Sequence, residues 1–446
     1  MDNCNCEICK NNLPFEIPNE LIESLLDGEL VLFAGAGIST ETKSIFKETL
    51  YEDIYADLKL DGQDISFPDL MSKYVKTNTN GRQKLLEKIR FRFDYCQQFN
   101  ELFRDASRFH EEICSLWMLK EIITTNWDDY FERVCDAIPI VTPEDFAFYK
   151  MDQRKVFKIH GSISNYGSII ATTEDYEKSL EDLKTGVIGA NLKMLLTTKT
   201  VVFIGYSFRD FDFLEILTFL KSQMKGVLPH IYIVTLDTNV GEILDGFNYT
   251  LINTDGTYFF SSIRKHLEGL KYIFPKENLE RIYEIGFMRS EIHKFTTNDF
   301  YDDHKCSSLI YCAFYQDGIQ HALDYLSFKT KRGDAYNPHH IISRLHSYED
   351  HLRKKYLKNK NYQEVAYIDG YIQGLTISLI PEEEWDSNDF PMFYLFGIGP
   401  ISDPDIFKDA IINNTIYHKT AEKMGKKYFK QVLESEGIVP HHRPFL

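Results

Sequence analysis

The stretch Leu30-Val31-Leu32-Phe33-Ala34-Gly35-Ala36-Gly37-Ile38-Ser39 constrains this chain most. A short apolar run of this kind reads as a strand buried on both faces. It breaks into Gly-Ala-Gly and then a hydroxyl residue. Glycine lets the backbone turn tightly and lets a ligand come close to it. The next segment, Glu41 to Leu58, is polar and helix-compatible. The pattern is therefore strand, glycine turn, helix, the local arrangement with which α/β folds cradle a pyrophosphate. Two of the three glycines of the full dinucleotide fingerprint are present, so a simple tight turn stands open beside the ligand-binding reading.

Four more short strands end in polar or glycine residues. Glu121 to Thr124 runs into Thr125-Asn126-Trp127-Asp128, with a helix expected to begin near Trp127. There Asn126 or Thr125 can cap the helix, and Asp128 in its first turn suits the dipole. The alternative is that these polar groups line the ligand crevice at the carboxyl end of a parallel sheet. Val156-Phe157-Lys158-Ile159 delivers His160-Gly161, a histidine at a strand end where a general base is presented. Thr200 to Ile204 ends in Gly205-Tyr206-Ser207, followed by a helical pattern from Arg209 to Lys221. Ile231 to Val234 ends in Thr235-Leu236-Asp237, and Tyr249 to Asn253 is a sixth strand before a helix from Tyr258 to Leu270. Strands alternating with helices predict a Rossmann-like parallel sheet covered by helices on both faces. The long excursion from Ser44 to Leu119 is helical in pattern, broken at Thr77-Asn78-Thr79-Asn80-Gly81. Its aromatics Phe91, Phe93, Tyr95, Phe99, Phe103 and Phe109 are expected in the core.

A length of 446 residues implies more than one domain. The net charge of −17 makes the chain a poor non-specific binder of nucleic acid, whose phosphates repel it, and leaves contact through a basic partner open. No run approaches the roughly 18–20 apolar residues of a membrane span. Met1-Asp2-Asn3-Cys4 opens no signal peptide, and the eight cysteines are scattered, so a reducing, cytoplasmic setting is expected. Cys4, Cys6 and Cys9 have metal-ligand spacing without a nearby fourth ligand, which leaves metal binding open against a flexible tail.

Taken in order, Gly35-Ala36-Gly37-Ile38-Ser39, Thr124-Thr125-Asn126-Trp127-Asp128, His160-Gly161 and Gly205-Tyr206-Ser207 resemble the sirtuin motifs GAGIS, TQNID, HG and GTS. The resemblance covers roughly Pro18 to Tyr272. It implies that Gly35, Ala36, Gly37 and Ser39 hold the pyrophosphate and adjacent ribose of NAD. Asn126 and Asp128 would face the nicotinamide ribose, and His160 would be the catalytic base. Gly205 and Ser207 would contact phosphate and the adenosine ribose, with Thr235 and Asp237 lining the adenosine end. Protein deacylases of this family carry two cysteine pairs between the HG and GTS motifs; here no cysteine lies between His160 and Ser207. The continuation G-I-P-D-F-R is also replaced, by Thr40-Glu41-Thr42-Lys43-Ser44. In these losses the chain is similar to the bacterial anti-phage sirtuin-like proteins that destroy NAD, some of which assemble with a HerA-type ring ATPase.

The expectation is therefore an NAD hydrolase, with catalytic Asn126 and His160, NAD as substrate and no metal. A sensing module that binds NAD or ADP-ribose without turnover is the alternative, and a protein deacylase a more distant one. Both Asn126 and His160 are expected at solvent-accessible strand ends. The expected layout is a flexible tail over residues 1–17, the sirtuin-like domain over 18–272, and a mainly helical regulatory or assembly domain over 273–446. In that last part Lys276–Ser290, Ser307–Lys329, Ile341–Asn359, Asn361–Leu379 and a basic Thr415–Glu434 read as helices, with breaks near Pro381 and Pro400. His339, His340, His346 and His351 have poor spacing for a metal and are expected on a solvated helix face. Homo-oligomerisation or a HerA-type ATPase partner is expected to gate the activity, with no direct contact to nucleic acid or membrane.

Overall fold

The computed structural model describes residues 9–39, 45–205, 230–237, 247–300, 308–413, 422–423, 425–427 and 441–444. The chain divides into two compact units, Met1–His266 and Leu267–Leu446.

The first unit is built on seven strands: β1 (Leu30–Ala34), β2 (Glu121–Thr124), β3 (Ile138–Ile140), β4 (Lys155–Lys158), β5 (Thr200–Ile204), β6 (Ile231–Val234) and β7 (Tyr249–Ile252). They lie in the order β3-β4-β2-β1-β5-β6-β7, and every pairing is parallel. From β1 the chain winds outward through β2, then returns to the other side of β1 with β5. The β1/β5 boundary is therefore the point where the winding reverses. The last paired row crosses the sheet as Lys158, Thr124, Ala34, Ile204 and Val234. Each strand-end motif begins one or two residues beyond that row, so all of them emerge at one edge.

Burial explains the continuous apolar runs. Val31, Phe33, Ile123, Phe157, Val201 and Phe203 pack with Leu192, Leu195 and Leu196 of helix α8 (Val187–Thr198). On the opposite face lie α1 (Asn19–Leu26), α5 (Asn100–Cys114) and α9 (Gly256–Gly269). There Phe109 meets Phe260 edge to face at 5.6 Å, and the Arg264 guanidinium pairs with Glu112 at 2.8 Å. The excursion after β1 forms α2 (Leu50–Asp57), α3 (Phe67–Thr77) and α4 (Gly81–Gln98), with their own apolar cluster of Leu50, Ile54, Leu70, Met71, Leu85 and Ile89.

The structure departs from the sequence reading at several places. β3 was not expected; it is three residues long, contains Pro139, and sits at the sheet edge, where a missing N–H breaks no ladder. Ala36–Ile38 make a 3-10 turn, residues 40–44 lie outside the described residues, and among the described residues 45–49 are not helical and the next helix is α2. Of the aromatics expected in the core, Phe93 and Phe109 are buried, but Phe91 is 65% exposed, and Tyr95 and Phe99 are exposed too. These three lie at four-residue spacing on α4 and its C-cap, and their rings follow one another, Phe91 tilted against Tyr95 and Tyr95 edge to face with Phe99.

The second unit is mainly helical, with long helices Lys276–Lys294, Leu309–Arg332 and Tyr362–Thr376. The last two cross closely because of glycines. A side chain on Gly318 would lie 2.0 Å from the Tyr367 carbonyl oxygen, and one on Gly370 would lie 1.9 Å from that of Tyr315. A small antiparallel hairpin, Phe393–Leu395 with Gly399–Ile401, occupies the region read as a break at Pro400. His340 is not simply a solvated histidine: its ring is bonded to and stacked on Tyr325. Among the described residues, His293, Asp317 and His441 have donor atoms close enough for a metal, but the Arg289 guanidinium already pairs with Asp317 at 3.1 Å. The basic stretch from Thr415 to Glu434 lies largely outside the described residues, as do Cys4 and Cys6. No helix among the described residues is long and apolar enough to cross a membrane.

Candidate functional site

The carboxyl edge of the sheet at β1/β5 brings two glycine loops into contact. The Gly35 amide donates to the Ile204 carbonyl at 2.9 Å, and the Gly37 amide donates to the Gly205 carbonyl at 2.8 Å. Gly205 has a φ of +61°, in the left-handed region, and a side chain there would lie 2.6 Å from Ile38 Cγ2. A side chain on Gly37 would lie 3.0 Å from the Gly205 carbonyl oxygen. Each glycine thus makes room for the other. Ala36 and Gly37 stay exposed while Gly35, Ile38 and Ser39 are buried, so the turn presents its tip and hides its flanks.

Asn126 joins β2 to this turn. Its side-chain amide donates to the Gly35 carbonyl at 3.1 Å and to Ser39 Oγ at 2.9 Å. Its own backbone N–H is held by Thr124 Oγ1 at 3.0 Å. The contact with a carbonyl oxygen fixes which way the amide points, because only the NH2 group can donate there. The Asn126 Oδ1 atom is therefore directed elsewhere, and it is buried with no hydrogen-bond partner. A buried carbonyl oxygen without a donor is uncommon and calls for a ligand or a water. The capping role considered for Asn126 is not observed: helix α6 (Tyr130–Cys135) begins later than expected, with Asp129 at the N-cap. Asp128 lies before that helix rather than in its first turn, and its Oδ1 accepts from the Tyr130 amide at 3.2 Å.

His160 follows β4, the neighbour of β2. Its backbone carbonyl accepts from the Ile170 amide at 3.0 Å, and its ring meets Tyr176 of α7 (Thr173–Thr185) edge to face at 5.0 Å. Gly161, at a φ of +85°, turns the chain so tightly that a side chain there would lie 2.1 Å from the Ser168 carbonyl. The Ile163 amide then donates to the Trp127 carbonyl at 2.8 Å, which ties the His160 loop to the Asn126 loop.

Asn126 and His160 are not solvent-accessible as expected: they are 6% and 4% exposed, and Asp128 is 3% exposed. For Asn126 the cause is the bridge to Gly35 and Ser39; for His160 it is the return of the chain through Ile170 and the cover of α7. Behind Asp128 lies His110, whose ring packs against Phe109, Tyr130 and Phe131. Burial pushes its imidazole down to about 4, opposed chiefly by the Asp128 carboxylate.

Thr235 and Asp237 lie at the end of β6, where the Asp237 amide donates to Thr235 Oγ1 at 3.1 Å. The structure thus brings Gly35, Gly37, Ser39, Asn126 and Gly205 into direct contact. It sets His160, Asp128, Thr235 and Asp237 along the same edge, and Ser207 lies outside the described residues. Sequence reasoning passed over Lys158, whose side chain reaches under the Asn126–Asp128 loop to the Trp127 and Asp128 carbonyls and to Glu132.

An open parallel sheet whose glycine turns and polar groups meet where its winding reverses is of the doubly wound α/β class, in which ligand crevices form at that edge. The model of the SIR2-like domain matches residues 120–246, a span that includes the Asn126, His160 and Gly205 ends and begins after the Gly35–Ser39 turn. The chain is 29% identical over 211 residues to the NAD(+) hydrolase ThsA of Cytobacillus dafuensis, a match covering 46% of this chain and 40% of that protein. It is 26% identical over 225 residues to the ThsA of Enterococcus faecium, covering 47% and 43%. It is 23% identical over 305 residues to Defense-associated sirtuin 2 of Bacillus subtilis, covering 65% and 28%. The matches thus span less than half the length of each of these relatives.

Proposed function

We propose that this chain hydrolyses NAD to nicotinamide and ADP-ribose, as an effector that depletes NAD in bacterial anti-phage defence. The observation that carries the reading is the orphaned, buried Oδ1 of Asn126, beside an exposed glycine tip at the point where the sheet winding reverses. The relatives named as NAD hydrolases and as a defence-associated sirtuin support it.

The chemistry follows from these parts. Nicotinamide leaves as a neutral group from a cationic glycoside, so the sugar passes through an oxocarbenium-like state. Gly35, Ala36, Gly37, Ser39, Gly205 and Ser207 would bind the phosphates and riboses, with Thr235 and Asp237 at the adenosine end. Asn126 Oδ1 would accept a hydrogen bond from a ribose hydroxyl or from the attacking water. Asp128 would hold the loop toward that ribose. His160 would take the proton from the water or the ribose hydroxyl, work suited to an imidazole near neutral pH. Positioning rather than a covalent nucleophile would supply most of the rate. The segment from His160 to β5 forms α7 and α8 and carries no cysteine, which disfavours the deacylase reading.

We further propose that a cytoplasmic assembly, a homo-oligomer or a complex with a HerA-type ATPase, gates the activity through the helical unit. The test is incubation of the purified chain with NAD, alone and with the candidate ATPase, following nicotinamide and ADP-ribose by chromatography beside His160→Ala. Release by the native chain only supports hydrolysis. NAD binding without release under either condition supports the sensing reading.

A further inference from the structure

Lys158 is the last residue of β4 and lies two residues before His160 in the chain. It is 1% exposed. Its ammonium reaches the Trp127 carbonyl at 3.4 Å, the Asp128 carbonyl, and Glu132 Oε1 of α6 at 3.0 Å. An ammonium has three N–H donors, and here each has an acceptor. Two of the three are backbone carbonyls of the loop that carries Asn126 and Asp128. That loop has no helical or strand ladder of its own between β2 and α6. The Trp127 carbonyl also accepts from Ile163, in the loop after His160.

Burying a cation here is costly, and an ion pair of similar volume is often replaceable by apolar residues without loss of stability. The carbonyl contacts are a different matter, because no apolar side chain can donate to them. We infer that Lys158 is a positioning residue: by donating to the Trp127 and Asp128 carbonyls it fixes the Asn126–Asp128 loop against the His160 strand. The inference rests on the proposed hydrolysis for its kinetic consequence only. Lys158 touches no substrate in this role.

Three variants of the whole chain test it: Lys158→Met, Glu132→Gln, and the double variant Lys158→Met with Glu132→Leu. Hydrogen exchange of the segment 125–130 reads loop order without any substrate. The double variant is expected to recover the native melting temperature to within about 3 °C. Its 125–130 amides should still exchange about tenfold faster than native, with β2 unchanged. If the native chain turns over NAD, kcat of the double variant should fall roughly 10- to 100-fold with KM held within about threefold. Glu132→Gln, which keeps both carbonyl contacts, should stay within about threefold of native in exchange and kcat. Native exchange and native kcat in the double variant would overturn the inference, leaving Lys158 a mere counter-ion of Glu132. So would a Glu132→Gln variant as impaired as Lys158→Met. A native chain that releases no nicotinamide refutes the hydrolase reading instead, and the exchange comparison still decides this one.

Discussion

Asn126→Asp changes one buried atom and should reverse the logic of the bridge to the glycine turn. The native amide donates to Gly35 O and Ser39 Oγ. A protonated carboxyl in its place keeps one donor, so the loss is one hydrogen bond, about 1 kcal/mol. An ionised carboxylate keeps none and faces a carbonyl oxygen across the 3.1 Å now spanned by N–H···O. Burial and this repulsion should raise the new carboxyl in the folded state by roughly 2–3 units, worth about 3–4 kcal/mol. The unfolded chain ionises at its ordinary value near 4, so stability falls as pH rises from there to the raised value, then levels off. Relative to the native chain at the same pH, with m near 3 kcal/mol/M for this unit, the urea midpoint should drop by about 0.8 M at pH 5 and about 1.5 M at pH 8. Asn126→Ala loses both bonds, about 2 kcal/mol, with no such pH dependence. Both variants should lose NAD turnover. Equal midpoint shifts for Asn126→Asp at the two pH values would refute the bridge as described.

Three further outcomes follow from groups elsewhere. The imidazole of His110 stays neutral down to about 4, so between the ordinary value near 6.5 and pH 4 the unfolded chain gains a proton that the folded chain refuses. Its contribution should fall by about 3 kcal/mol over that window, and His110→Phe should flatten the acid limb of a stability-against-pH series by that amount. In the helical unit, Gly370→Ala places a methyl 1.9 Å from the Tyr315 carbonyl and should cost about 1–3 kcal/mol by calorimetry. Gly286→Ala, whose nearest neighbour is Leu323 Cδ1 at 3.7 Å, should instead stabilise its helix by up to about 1 kcal/mol.

The six apolar runs that end in glycine or polar residues were legible because a parallel sheet buries both faces, and burial leaves no alternation to misread. β3 was not, since three residues around Pro139 carry neither length nor pattern. The helix expected over Glu41–Leu58 is shorter among the described residues, because helix-forming composition does not mark its start: residues 45–49 are turn and bend, and Thr49 caps α2 at Leu50. Asn126 was ambiguous for a physical reason: the side chain that caps a helix is the one that binds a ribose. Only its partners, Gly35 and Ser39, decide between them. Lys158 gave no signal at all, because a lysine at the end of a short strand looks like an ordinary edge polar residue until its three acceptors are seen. In the second half, the helical spacing was readable, whereas the hairpin around Pro400 was masked by reading proline as a break.

The glycines of the turn deserve a separate reading from the polar groups around it. Gly37 and Gly205 are required by each other: the two loops touch through the Gly37 amide, and a Cβ on either side intrudes on the opposite backbone. That requirement holds for a packed turn whether or not anything binds there. Gly205→Ala adds the cost of a left-handed backbone, about 1 kcal/mol or more, to a contact of 2.6 Å with Ile38. It should therefore destabilise the first unit by about 2–4 kcal/mol, substrate or none. Asn126 Oδ1 is the opposite case, because nothing in the folded chain needs it. A stability loss at Gly205 already present without NAD, beside a native chain that NAD stabilises and an Asn126→Ala variant that it does not, would separate the architecture of the turn from its use. NAD stabilising Asn126→Ala as much as the native chain would refute the assignment of that orphan oxygen to the ligand.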